Sequence, residues 1–165
     1  VVGIEPSCLL TFTDEYQKLK NVNNREKIKN KFYLLEEFIL EQIKNDNKVK
    51  TNKFDQNVLI HGHCHQKSQD RMKGLTNLLS ELKINNKMID SSCCGMAGSF
   101  GYDSKNYEVS KKMANLSLIP AINNSDEADF IIANGTSCRH QISDLSHKKG
   151  KHISELLFKI FETVN

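Results

Sequence analysis

The stretch Ala128-Asp129-Phe130-Ile131-Ile132-Ala133-Asn134-Gly135-Thr136-Ser137-Cys138 decides the fold of this chain. The apolar run from Ala128 to Ala133 has the length and composition of a buried strand, and Asn134-Gly135 is a turn signal. A cysteine kept only for packing belongs inside an apolar stripe. Cys138 instead follows a strand exit, which is where open α/β sheets bind ligands and cofactors.

The same order of strand, small-residue turn and thiol recurs along the chain. Val58-Leu59-Ile60 leads into His61-Gly62-His63-Cys64-His65, and Lys87-Met88-Ile89-Asp90 leads into Cys93-Cys94-Gly95. The first residues, Val1-Val2-Gly3-Ile4, lead into Glu5-Pro6-Ser7-Cys8. Each apolar run is short and is followed by turn residues, so we predict a strand at each of these places.

Apolar side chains at helical spacing predict helices between these strands. The expected helices cover residues 9–19, 24–43, 66–82, 105–122 and 153–164, with a short one after Cys138 and a loop over 45–56. Pro120 is expected to weaken the last turn of its helix. Strands that alternate with helices predict an α/β fold: a three-layer, Rossmann-like domain whose mainly parallel sheet is covered by helices on both faces.

A faint internal repeat suggests two pseudo-equivalent halves. The pattern of apolar run, turn, Ser-Cys and helix occurs at Val2 to Cys8 and again at Ile131 to Cys138. We therefore expect residues 1–56 to be the tail of a first half and residues 57–165 to be a second half. Because the chain opens inside an apparent strand, it is expected to be the C-terminal piece of a larger protein.

Composition excludes several classes of function. The 165 residues are 38% hydrophobic and 26% charged, which is ordinary for a globular domain of this size. The net charge of +3 comes mostly from surface stretches rich in Lys and Asn, such as Gln17 to Lys31, and because that run contains no aromatic residue among its basic ones, nucleic-acid binding is not expected. No apolar run approaches the ~20 residues of a membrane span. Five cysteines, two of them adjacent, make a poor disulfide framework and favour the reducing cytoplasm, with peripheral attachment to the inner face of the membrane left open.

The thiols admit three interpretations from the residues alone. They are buried packing residues, zinc ligands together with the histidines, or the ligands of an iron–sulfur centre. The adjacent pair Cys93-Cys94 is awkward for one tetrahedral ion but suits a cluster in which different irons each take a sulfur. A nucleophilic Cys64 beside His65 is a weaker interpretation, because adjacent residues rarely face each other.

The strings Cys64-His65, Cys93-Cys94-Gly95-Met96-Ala97-Gly98 and Ser137-Cys138 resemble the cysteine-rich CCG domain found in heterodisulfide reductases and in the iron–sulfur subunits of glycolate oxidases. With Glu5-Pro6-Ser7-Cys8, they are closest to the C-terminal domain of large FAD-linked oxidases of the D-2-hydroxyglutarate or D-lactate dehydrogenase kind. The resemblance covers nearly the whole chain.

The resemblance implies the ligands and the function of the domain. It implies a [4Fe–4S] cluster with Cys8, Cys64, Cys93, Cys94 and Cys138 as the metal-ligand candidates, and with Gly95, His65 and Gln141 beside the cofactor. Gln141 stands where the family pattern has a fifth cysteine, so four cysteines would hold a cubane, or Cys8 would supply the fifth thiolate of a noncubane cluster.

By the same resemblance, the chain is the redox module of a FAD-linked 2-hydroxyacid dehydrogenase or oxidase. It would relay electrons from the flavin to a quinone or a redox protein. No FAD-binding motif is present, so the flavin is expected in a separate domain or subunit, and this chain alone is expected to be inactive. The alternative is a zinc-binding or metal-free domain that organises the oxidoreductase subunits.

Overall fold

The computed structural model describes residues 1–20, 26–27, 30–45, 50–127 and 129–161. The strands of this part of the chain are β1 Val2–Gly3, β2 Tyr33–Leu34, β3 Val58–His61, β4 Asn86–Met88 and β5 Phe130–Ala133. The α-helices are α1 Pro6–Thr11, α2 Leu35–Asn45, α3 Cys64–Ser68, α4 Met72–Glu81, α5 Tyr107–Asn115, α6 Leu118–Asn123, α7 Thr136–Leu145 and α8 Ile153–Ile160. None of the described helices is long and apolar enough to cross a membrane.

A parallel three-stranded sheet, formed by β3, β4 and β5, carries the three turns that contain Cys64, Cys93-Cys94 and Cys138. β3 lies in its centre, with β4 on one side and β5 on the other. Val58 is aligned with Asn86 on one neighbour and with Phe130 on the other. All three strands run in the same direction, so their carboxyl ends meet at one edge of the sheet.

Alternation along the strands places helices on both faces of this sheet. Val58, Ile60 and Phe130 join a core formed with α4 and α8, against which α2 also packs. Leu59 and Ile131 point the other way, into a core formed with α5, α6 and α7. The prediction of a parallel α/β sheet with helices on both faces is therefore confirmed.

The first segment forms a separate two-stranded parallel sheet, in which Val2 pairs with Tyr33 and Gly3 with Leu34. The predicted helix over 24–43 is therefore too long at its N-terminal end, while its residues 24–25 and 28–29 lie outside the described part of the chain. The helix begins at Leu35 because the Glu37 carboxylate accepts a hydrogen bond from the Leu34 N–H at 2.9 Å, which is one half of a capping box.

Two other predicted helices are each divided in two. The helix expected over 66–82 is interrupted at Asp70, which has a φ of 52° in the left-handed region. The helix expected over 105–122 breaks at Ser117, whose φ of −152° and ψ of −43° are not helical. Pro120 consequently lies in the first turn of α6, where its missing N–H costs nothing, and the expectation that it weakens a last turn is wrong.

The remaining helices differ at their ends. The helix expected over 9–19 is α1, which stops at Thr11, followed by a 3₁₀ turn at Glu15–Lys18. The last helix is confirmed from Ile153 to Ile160, and residues 162–165 lie outside the described part. The predicted loop over 45–56 has no helix or strand in residues 50–56.

Candidate metal and redox site

Three strand exits bring four thiols to one edge of the sheet. β3 leads through Gly62-His63 to Cys64, the first residue of α3, and β5 leads through Asn134-Gly135 to Cys138, in the first turn of α7. β4 leads to the Cys93-Cys94 turn. Each helix or turn begins within a few residues of its strand, so the register of the strands fixes where the sulfurs lie.

The four sulfurs form a continuous chain of contacts. Cys64 Sγ lies 3.6 Å from Cys93 Sγ, the sulfurs of Cys94 and Cys138 lie within 4.8 Å of each other, and Cys94 interacts with Cys93 strongly enough to lower the pKa of that thiol. Cys94 and Cys138 are only 2% and 1% exposed, whereas Cys64 and Cys93 are half-buried. The site therefore has a closed inner side and a more open outer side.

The thiols divide into hydrogen-bond donors and acceptors. The pKa of Cys93 is lowered because it accepts from the thiols of Cys64 and Cys94 and, at 3.2 Å, from the Gly95 N–H. The Cys94 thiol also lowers the pKa of Cys138, to about 5, against the opposing effect of burial. Donation to these acceptors, together with burial, raises the pKa of Cys64 and Cys94. The cluster thus lowers the pKa of two of its thiols, Cys93 and Cys138, and the thiolate is the form in which cysteine binds metals.

His61 lies against the inner thiols. Its Nδ1 is 2.9 Å from Ser91 Oγ, its Nε2 is buried, and the interaction of His61 with Cys138 lowers the pKa of that thiol. One ligand atom each from His61, Cys94 and Cys138 lies within 4.8 Å of the other two. The sequence analysis gave His61 no definite role. Side chains alternate between the two faces of a strand, so His61 lies on the same face of β3 as Leu59. That face packs against Cys94 and Cys138, and this alternation could have placed His61 at the site.

The Cys-Cys-Gly turn depends on a glycine. Gly95 has a φ of +90°, and a Cβ at this position would lie 2.1 Å from the Ser110 carbonyl oxygen. Gln141, buried in α7, donates from Nε2 to that same oxygen at 3.2 Å and to Ser110 Oγ at 2.9 Å. In this arrangement the Gln141 amide supports the turn that carries Cys93 and Cys94.

The other predicted site residues, His65 and Cys8, differ in their surroundings. His63 caps α3 by accepting from the His65 N–H at 3.2 Å, and the His63 and His65 rings stack with centroids 5.3 Å apart. The Nδ1 atom of His65 is buried without a hydrogen-bond partner in the described part of the chain. Cys8 is exposed on α1. The structure thus brings Cys64, Cys93, Cys94 and Cys138 together, but not Cys8.

Two polar side chains whose roles the sequence did not indicate, Glu36 and Lys67, hold the site in place. The buried Glu36 carboxylate accepts from Gln66 Nε2 at 2.7 Å and from Asn134 Nδ2 at 3.0 Å, which ties α2 to the residues that flank Cys64 and Cys138. Lys67 Nζ donates to the carbonyl oxygens of Ser91 and Ser92, the second at 3.0 Å. The partners in these hydrogen bonds are far apart in sequence, so no local sequence pattern predicts them.

A parallel α/β domain with four thiols and an imidazole at its strand exits is a cysteine-rich domain with a thiol site suited to metal. The family model of the cysteine-rich domain CCG matches residues 58–143, a span that includes all four of these thiols. Because that span is more than half of the chain, the protein belongs to the CCG cysteine-rich domain family.

Curated proteins match the chain over almost its full length. It is 22% identical over 161 residues to a D-2-hydroxyglutarate dehydrogenase of Pseudomonas putida, covering 96% of this chain and 15% of that protein. It is 23% identical over 158 residues to a subunit of the anaerobic glycerol-3-phosphate dehydrogenase of Escherichia coli K12, covering 95% of this chain and 39% of that polypeptide. A D-2-hydroxyglutarate dehydrogenase of Haemophilus influenzae is 25% identical over 172 residues, with 98% and 16% covered. The chain thus spans well under half the length of these relatives, and no solved structure matches it significantly.

Proposed function

We propose that this chain is the iron–sulfur redox module of a FAD-linked 2-hydroxyacid dehydrogenase or oxidase. The observation that carries the proposal is the convergence of Cys64, Cys93, Cys94 and Cys138 from three strand exits into one chain of sulfur contacts. The similarity to parts of D-2-hydroxyglutarate dehydrogenases supports the same proposal.

The donor set fits a [4Fe–4S] cluster, which is held by four cysteine thiolates and supplies one-electron transfer when bound. In the proposal Cys64, Cys93, Cys94 and Cys138 are its ligands. The Gly95 N–H, already 3.2 Å from Cys93 Sγ, would hydrogen-bond a ligand sulfur and so influence the potential. Because Gln141 bonds Ser110 and Cys8 is exposed on α1, we favour a cubane on four thiolates over a noncubane cluster on five.

The partners in this proposal are a flavin-binding domain or subunit and an electron acceptor, a quinone or a redox protein. The relatives are much longer than this chain, which leaves room for a flavin-binding part. The half-buried Cys64 and Cys93 form the side of the site through which electrons would enter or leave. We further propose a cytoplasmic location, no nucleic-acid partner, and a division into halves at 1–56 and 57–165; the two sheets fall on either side of that boundary.

A zinc site is the second candidate. The observation that favours it is the buried group His61, Cys94 and Cys138, whose ligand atoms lie within 4.8 Å of one another. With Cys93 as a fourth donor, this group would form a Cys₃His site of the structural kind. In that case the domain would organise oxidoreductase subunits without carrying electrons.

Metal analysis of anaerobically purified full-length protein tests both proposals. We expect about four irons and four acid-labile sulfides per chain, the content of one [4Fe–4S] cluster. Cys94→Ser should lose the iron–sulfur absorption, whereas Cys8→Ser, a matched change at an exposed thiol, should keep it. His61→Ala should also keep the iron. Stoichiometric zinc without iron, lost in both His61→Ala and Cys94→Ser, would overturn the iron–sulfur proposal in favour of the zinc site.

A further inference from the structure

The helix that carries Cys138 is capped by a carboxylate from the opposite end of the chain. Glu5 Oε2 accepts from the Thr136 N–H at 2.9 Å and from Thr136 Oγ1 at 2.9 Å, across 131 positions of sequence. Thr136 is the first residue of α7, and the helix receives no hydrogen bond from the side chain of its own N-cap residue, since that residue is Gly135. Glu5 therefore performs the task that a Ser, Thr, Asp or Asn at the N-cap usually performs.

The reason for this distant cap lies in the thiol site. A Cβ at Gly135 would lie 2.3 Å from His63 Cδ2 and 3.2 Å from Cys138 Sγ. The space that a local capping side chain would need is thus filled by the His63 ring and the Cys138 sulfur. A residue with a side chain at this position would push His63 or Cys138 away, so the carboxylate has to come from another segment.

The Glu5 carboxylate is itself fixed on several sides. Ser7 Oγ donates to its Oε1 at 2.9 Å, and His63 Nε2 lies 3.9 Å from the same oxygen. Arg139 Nη2 donates to Thr136 Oγ1 at 3.1 Å, which orients that hydroxyl toward Glu5. The carboxylate thus touches Thr136, two residues before Cys138, and faces His63, which packs beside the same sulfur.

We propose that Glu5 is a positioning residue of the thiol site, which holds the first turn of α7 and thereby fixes Cys138 beside Cys94. A carboxylate at a helix N-terminus is favoured by the unpaired N–H groups and the positive end of the helix dipole. In this view the first segment contributes to the site through the carboxylate of Glu5 and not through the thiol of Cys8. Only the part of the test that uses a loaded cluster rests on the proposed function.

Site-resolved thiol labelling of the full-length protein tests the proposal without metal. The reduced, chelator-treated protein is exposed to iodoacetamide, and the modification of Cys138 is followed by mass spectrometry. Glu5→Ala should accelerate Cys138 labelling about tenfold, which corresponds to about 1.4 kcal/mol of easier local opening. Glu5→Gln keeps an acceptor oxygen for the Thr136 N–H and should stay close to wild type.

The matched control is Glu155→Ala. Glu155 accepts from the His152 N–H at 2.9 Å, caps α8, and lines the same small cavity as Glu5, whereas the carboxylate that accepts from Thr136 is that of Glu5. Cys138 labelling should be unchanged in this variant. Unchanged labelling in Glu5→Ala, or an equal increase in Glu155→Ala, would overturn the proposal. Should Glu5→Ala not fold, Glu5→Asp, which withdraws the carboxylate by one methylene, takes its place with the same expected direction.

A redox titration supplies the readout that a purely structural role would not move. In the iron-loaded protein Glu5→Gln should bind as much iron as wild type but show a higher midpoint potential, because a negative charge near the centre is removed. An unchanged potential would contradict the placement of the Glu5 charge beside the site. If the protein binds no iron, the proposed function fails, while the labelling experiment still decides the role of Glu5.

Discussion

A buried carboxyl group gives this protein a measurable dependence of stability on pH. Glu36 is 1% exposed, and burial raises its pKa from 4.5 to about 7, with the neighbouring Glu37 adding in the same direction. Hydrogen bonds from Gln66 and Asn134 oppose this rise only in part. The folded protein therefore holds a proton on Glu36 at pH values where the unfolded chain has released it.

The sign and the size of the effect follow from this difference. Below pH 4.5 both states carry the proton, and the free energy of unfolding is not affected. Between pH 4.5 and about 7 the unfolded chain ionises first, so the folded state binds more protons and the free energy of unfolding falls as the pH rises. Each pKa unit corresponds to about 1.4 kcal/mol, so the full loss from Glu36 is about 3 kcal/mol.

Urea unfolding of the metal-free, reduced chain at several pH values from 4.5 to 8 measures this loss. Glu36→Gln cannot ionise at this position. The difference between its free energy of unfolding and that of wild type should therefore increase in favour of the variant by about 3 kcal/mol over this pH range. The difference between the two curves removes the contributions of His63 and His152, whose pKa values are lowered by burial, and of the Cys138 thiol, because these groups act in both proteins. Glu41→Gln, at an exposed position of the same helix, controls for the loss of a charge. Parallel curves for wild type and Glu36→Gln would refute the reasoning.

Two further predictions concern the thiol turn and the exposed thiol. Gly95→Ala should destabilise the fold by about 3 kcal/mol or more, because its Cβ would overlap the Ser110 carbonyl. Gly98→Ala, at a φ of +67° in open space, should lower the stability by only about 1 kcal/mol. Equal losses of stability in thermal unfolding would contradict this expectation. Removing metal with a chelator should increase the alkylation of Cys94 but leave that of Cys8 unchanged, and protection of Cys8 by metal would show that it is a ligand.

The strands and the thiol positions could be predicted because both are local signals. A short apolar run followed by a turn at Asn134-Gly135 identifies a buried strand, and parallel strands must present their carboxyl ends at one edge. The lengths of the helices could not be predicted in the same way. Apolar spacing continues through the break at Ser117, so periodicity alone joined two helices that the backbone separates there. Residues 66–71 are all polar, so no apolar pattern marks the break at Asp70.

The groups that hold the site together were not predictable, because their partners are distant in sequence. In the sequence Glu36 is one polar residue in an amphipathic helix, yet it bonds Asn134 across 98 positions. Glu5 looks like the start of a short motif before Cys8, yet its carboxylate caps the helix of Cys138. Composition and period report which face of an element is apolar, but not which polar side chain reaches across to another segment.

Gln141 shows both a position that the sequence pattern identifies and a contact to a distant segment that only the structure reveals. The resemblance to the family assigns its position to a thiolate, but the Gln141 amide donates to both the carbonyl and the hydroxyl of Ser110. That carbonyl abuts Gly95, so the amide braces the turn that presents Cys93 and Cys94. A position that the family pattern gives to a thiolate thus supports the turn that carries two other thiols. This exchange is the physical reason for favouring a centre with four cysteine ligands in this chain.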